Sequence, residues 1–146
     1  MEHITIKDIR RQSGVAFGTS GARGLASAIT DKVAYSYTLA FLEHLRETGQ
    51  YNEKNGLVAL GGDLRPSTPR IISACAQAVR DFSYTPLGCG FVPSPALALY
   101  GIREKIPSIM VTGSHIPEDR NGIKFTSPTG EISRSDEEGI VGKTLS

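Results

Sequence analysis

No stretch of this 146-residue chain approaches the roughly 20 consecutive apolar residues that a membrane helix needs. The opening Met1-Glu2-His3-Ile4-Thr5-Ile6-Lys7-Asp8 lacks the charged, apolar and small-residue succession of a secretory signal, so a cytoplasmic setting is expected and no membrane partner. A surplus of one charge is missing too. Sixteen Lys and Arg face 15 Asp and Glu, a net charge of +1, whereas a nucleic-acid partner calls for a concentrated basic surface. Cys75 and Cys89 are the only cysteines, in neither a CxxC nor a Cys/His metal spacing, and read as two buried, reduced thiols. Repeats and low-complexity tracts are absent as well.

What is present suits one soluble domain with a single core. Short apolar runs alternate with amphipathic stretches. Val33, Tyr37, Phe41 and Leu45 recur every fourth residue and draw one face of a helix over residues 31–48, capped by Thr30 or Asp31 and ended by Gly49. Leu57-Val58-Ala59-Leu60 reads as a buried strand closed by Gly61-Gly62. Ser67 caps a second helix with Pro69 in its first turn and a buried stripe of Ile72, Cys75, Ala76 and Val79. Residues 82–89 form the next expected strand, Ser94-Pro95 opens a short helix to about Arg103, and residues 106–112 form a strand buried on both faces. A small hairpin over residues 123–132 follows, then a helix start from Ser135 interrupted by Gly139 and Gly142. The alternation predicts a three-layer α/β/α sandwich on a mostly parallel, mixed sheet, with ligands gathering at the carboxyl edge of its strands.

Three loops belong at that edge. Phe17-Gly18-Thr19-Ser20-Gly21-Ala22-Arg23-Gly24 offers backbone N–H groups, two hydroxyls and a guanidinium to an anion, although no GKS or GKT makes it a P-loop. A plain surface turn is the competing reading. In Gly62-Asp63-Leu64-Arg65-Pro66-Ser67, an Asp63–Arg65 pair is expected to brace the loop rather than touch substrate. Val111-Thr112-Gly113-Ser114-His115-Ile116-Pro117, followed by Asn121-Gly122-Ile123-Lys124, sets a hydroxyl after a buried run, with an imidazole beside it and an ammonium ten positions on. The Gly-x-Ser-x-Gly pattern is not met around Ser114, which disfavours a hydrolase nucleophile. A phosphorylated serine instead needs cations to offset about −1.5 to −2 charges. Arg23, His115 and Lys124 are the candidates. His3 and His44 read as solvated or structural.

Taken together, these segments resemble the N-terminal domain I of the α-D-phosphohexomutases, the phosphoglucomutase and phosphomannomutase superfamily. Residues 17–24 are similar to the family's FGTSGxRG loop and 62–68 to its GxDxRxS segment. Residues 92–96 are similar to its PTP-containing connection, and 112–117 to its TASHNP phosphoserine loop, which NGxK follows. The likeness runs over roughly residues 15–140, leaving 1–14 as an expected N-terminal extension. Gly113 stands where the family often has alanine, and Ile116 where it usually has asparagine.

The resemblance implies that Ser114, His115, Lys124 and Arg23 are catalytic and that Thr19, Ser20 and Arg23 bind substrate. Ser114, through its phosphate, would touch a magnesium ion whose remaining ligands lie outside this chain. It implies a hexose phosphate substrate, a bisphosphorylated sugar intermediate and further domains of the same enzyme as partners. The family's DGDGDR metal loop is nowhere in these residues. The isolated chain is therefore expected to be inactive. The alternative from another class is a non-catalytic α/β module that binds phosphorylated ligands.

Overall fold

The computed structural model describes residues 4–18, 21–113, 117 and 119–145. In chain order the elements are β1 (Ile4–Thr5), α1 (Ile6–Ser13), β2 (Ala16–Gly18), β3 (Gly21–Leu25), α2 (Asp31–Glu47), β4 (Leu57–Gly62) and α3 (Thr68–Asp81). There follow β5 (Thr85–Phe91), α4 (Ser94–Glu104), β6 (Ser108–Val111), β7 (Arg120–Ser127), β8 (Gly130–Glu131), α5 (Arg134–Val141) and β9 (Thr144–Leu145).

α2 begins where Thr30 accepts the Val33 N–H through its side chain, and it buries the period-four face that its sequence draws. Tyr37 and Phe41 are fully buried, and each contributes about 1.5–3 kcal/mol by leaving water. Phe41 stacks 4.7 Å from Phe125 of β7, and Phe17 of β2 meets Tyr37 edge-on at 5.6 Å. These rings anchor the glycine-rich hairpin to the core.

The main sheet runs β2-β3-β7-β6-β4-β5, with β8 beside β7. β4 pairs in parallel with β5 and β6, while β6–β7, β7–β3 and β3–β2 are antiparallel. The sheet is thus mixed, as expected, but its parallel part is confined to the three strands joined by α3 and α4. Two neighbouring glycines show the layering. A Cβ on Gly61 would press on Val92 and Leu97 of the α4 side, and one on Gly62 on Thr68 and Ile72 of the α3 side. Successive strand residues face opposite sides, so α3 and α4 cover opposite faces. α2, α3, α1 and α5 pack together on one face, and α4 lies on β4, β6 and β7 on the other.

Several expectations shift. The strand expected over residues 82–89 is β5, which starts at Thr85 rather than Phe82, because Phe82 still closes α3. Ser67 occupies the cap position of α3 without bonding its backbone. The glycine-rich segment is no plain surface turn, since residues on both sides of Thr19-Ser20 form paired strands. α5 runs through Gly139, where the lack of a side chain leaves room for the His44 ring. Residues 6–13 form a helix whose Ile6 and Ile9 enter the core, held by a Thr5–Asp8 capping box. β1 pairs with β9. Cys75 is buried, but Cys89 is only half-buried, and both thiols are unpaired. Among the described residues no helix is long and apolar enough to cross a membrane.

Candidate functional site

The carboxyl ends of β4 and β6 lie side by side, Gly62 opposite Val111. β6 ends at Val111, and β7 begins at Arg120. Thr112 N–H donates to the Gly122 carbonyl, which ties the outgoing strand to the returning one at 3.0 Å. Asp63 holds the start of this loop. Its amide donates to the Val111 carbonyl, and its Oδ2 accepts the Gly113 N–H at 2.9 Å. Its Oδ1 accepts the Arg65 amide and the Thr68 hydroxyl. Burial alone would raise the Asp63 pKa, yet hydrogen bonds from Thr68, Gly113, Arg65 and Thr112 outweigh it and hold the carboxyl below its ordinary value.

Arg65 reaches the other end of the loop. Its Nη1 donates to the Pro117 carbonyl at 2.7 Å and to the Arg120 carbonyl at 3.0 Å, while its Nε lies 3.4 Å from Asp63 Oδ2. The expected Asp63–Arg65 pair therefore exists, and it grips the loop that follows β6 as well as its own. Asn121, fully buried at the head of β7, donates from Nδ2 to the Ser67 and Thr68 hydroxyls and accepts the Gly122 N–H. The sequence names Asn121 only as part of a motif. Its asymmetric amide, buried in a strand, is the signal for that anchoring role.

Arg23 sits on β3 opposite Gly122, and a Cβ on Gly122 would press on its Cγ at 2.9 Å. The arginine stem therefore lies across the strand start beside Thr112. Lys124 is two residues farther along β7 on the same face, opposite Met110, making it a diagonal neighbour of Arg23. Its Nζ is 2.8 Å from Glu131 Oε1, and that contact holds the Glu131 carboxyl below its ordinary value. Arg23, Asp63, Arg65 and Asn121 thus converge on the ends of the loop, while Lys124 is set back from it. Ser114, His115 and Ile116 lie outside the described residues, as do Thr19, Ser20 and His3. Gly18 and Gly21, which flank Thr19-Ser20, pair with each other, and Gly21 lies over the Ile123–Lys124 backbone. His44 is buried and bound to Asp136, remote in role from this edge.

Among the described residues no group of three His, Cys, Asp or Glu side chains could hold a metal ion. Asp63, the carboxylate that touches the loop, already serves four hydrogen-bond donors. The described residues do not by themselves make a magnesium site.

Comparison with known proteins places this edge in context. Residues 14–146 match the family description "Phosphoglucomutase/phosphomannomutase, alpha/beta/alpha domain I". A phosphomannomutase of Salmonella muenchen is 44% identical over 134 residues, covering 92% of this chain and 27% of that protein. A phosphomannomutase of Sinorhizobium fredii is 45% identical over 128 residues, covering 88% and 27%. The crystal structure of a phosphoglucomutase/phosphomannomutase family protein from Burkholderia thailandensis superposes with a TM-score of 0.70 at 25% identity, covering 94% of this chain and 29% of that one. The chain spans about a quarter of the length of these curated relatives. It belongs to the phosphoglucomutase/phosphomannomutase family, as its α/β/α domain I.

Proposed function

We propose that this chain is the phosphoserine-bearing domain of a phosphohexomutase that interconverts hexose 1-phosphate and hexose 6-phosphate. The observation that carries the reading is the domain I match over residues 14–146, a span that includes Ser114 as well as Asp63, Arg65 and Gly113 beside the carboxyl ends of β4 and β6. In this reading the Ser114 Oγ carries a phosphoryl group. A hydroxyl of the hexose phosphate attacks phosphorus, its P–O bond forming as the bond to Ser114 breaks. The sugar hydroxyl gives up its proton, and the serine oxygen gains one. The resulting bisphosphorylated sugar then returns its other phosphate to Ser114, regenerating the carrier.

Charge builds up on the transferring group, and catalysis of such a step is mostly positioning and electrostatic stabilisation. Arg23 supplies a fixed positive charge and a fork of donors. Arginine stays protonated at any working pH, so it acts by charge rather than as a base. Lys124 supplies a second cation once released from Glu131, and His115 orients the serine. Thr19 and Ser20 belong to the substrate's phosphate side. Magnesium offsets phosphate charge in such chemistry, and here its ligands other than phosphoserine would come from beyond these residues.

Turnover of mannose 1-phosphate and glucose 1-phosphate tests the reading. A protein containing this chain and the remaining domains is expected to interconvert at least one of them, and Ser114→Ala to abolish that activity. The 146-residue chain alone is expected to turn over neither. Robust turnover by the isolated chain would overturn that last expectation, and a fully active Ser114→Ala enzyme would sink the proposal.

A further inference from the structure

The Arg65 guanidinium lies where a side chain on Gly113 would have to be. A Cβ built on Gly113 would fall onto its Nε and Cζ atoms. Gly113 is not among the positive-φ glycines of the chain, so its backbone would accept alanine, and the nearest atoms that a Cβ would meet are those of the guanidinium, which would have to shift. From that position the same side chain bonds the Pro117 and Arg120 carbonyls beyond the loop, with Asp63 behind it.

We propose that Arg65, seated over Gly113 and backed by Asp63, is a positioning residue that straps the two ends of the 113–120 loop together and so fixes where the phosphoryl-carrying serine is presented. The assignment rests on Ser114 being that carrier. Three features distinguish a strap from a surface arginine. Arg65 is 15% exposed, its contacts bridge segments on opposite ends of one loop, and Asp63 ties the guanidinium to the Gly113 N–H. A planar fork can meet two carbonyls and a carboxylate together, whereas an ammonium is a single point of charge.

The test uses Arg65→Ala, Arg65→Lys, Gly113→Ala and the Arg65→Ala/Gly113→Ala double variant, with two readouts. The first is hydrogen–deuterium exchange of the Gly113 and Arg120 amides in this chain, which needs no catalysis. Each single variant is expected to accelerate their exchange about 10-fold or more with the melting temperature little changed. The double variant is expected to match Arg65→Ala, because the added methyl then meets no guanidinium. The second is mutase kinetics in the full-length enzyme. Since misplacement of a reacting group by about 1 Å can cost on the order of 100-fold, kcat is expected to fall about 10- to 100-fold with KM for the hexose phosphate unchanged.

Unchanged exchange in Arg65→Ala, full recovery by Arg65→Lys, or multiplicative effects in the double variant would each overturn the strap. Accelerated, non-additive exchange in an enzyme whose Ser114 never carries phosphate would leave the strap standing and remove its catalytic purpose. Accelerated exchange with normal kcat would show that the strap does not position the serine.

Discussion

His44 Nε2 stands 2.8 Å from Asp136 Oδ1, joining the buried face of α2 to the first turn of α5. Gln50 adds a bond to the same oxygen, and the Ser133 amide one to the other. The ring fits because Gly139 faces it. A mid-helix Gly→Ala change ordinarily gains about 1 kcal/mol from backbone entropy. Here the new methyl would enter the His44 ring, so Gly139→Ala is expected to destabilise by about 1–3 kcal/mol, read from urea midpoints. In a His44→Ala background the same change should become neutral or stabilising. Destabilisation independent of His44 would contradict this packing.

Acid should release the same contact. Burial tends to raise the Asp136 pKa, but hydrogen bonds from His44, Ser133 and Gln50 outweigh it and bring it from 3.8 down to about 2. A depressed carboxyl stabilises the fold above its unfolded pKa, and that contribution is lost as pH falls through the folded value. The stability difference between wild type and Asp136→Asn should therefore shrink as pH falls from about 4 to about 2, in denaturant titrations. A difference unchanged down to pH 2 would refute the assignment.

Gly14 and Gly21 both have left-handed backbone, at φ 76° and 88°, but differ in their surroundings. Nothing lies within 4 Å of a Cβ on Gly14, whereas one on Gly21 would strike the Ile123 carbonyl. Gly14→Ala is expected to cost about 1–2 kcal/mol, the conformational penalty alone. Gly21→Ala adds a backbone collision and should cost about 2–4 kcal/mol. Thermal melts of the two variants check the order, and equal losses would argue against the close approach of β3 to β7.

Asn121→Ala removes the acceptor for the Gly122 N–H and the donor to Ser67 and Thr68, all at a fully buried position. Leaving such groups unsatisfied costs about 1–3 kcal/mol apiece. A loss above about 2 kcal/mol is expected, together with faster exchange of the Gly122 amide. A loss below about 0.5 kcal/mol would show that water replaces the amide.

Much of this arrangement is legible in the sequence, where local pattern and tertiary need agree. The period-four residues of α2 and the uniform apolar runs of β4 and β6 name their own structures. The 62–68 and 112–117 segments announce that they meet, because both follow parallel strands. The hairpin of β2 and β3 is not legible, since its glycines read as loop and its pairing depends on Phe17 reaching Tyr37 and Phe125. α1 is too short, with two buried apolar residues, for periodicity to declare it. The grip of Arg65 on Pro117 and Arg120 joins residues more than 50 apart in the chain, and no local rule encodes it.

Intact-mass analysis of the full-length protein, purified without added sugar phosphate, addresses the phosphoserine reading most directly. The expected result is one phosphoryl group on Ser114, discharged on exposure to hexose phosphate and never present in Ser114→Ala. A protein that binds hexose phosphate yet shows no phosphate on Ser114, before or after exposure to a hexose bisphosphate, would contradict it.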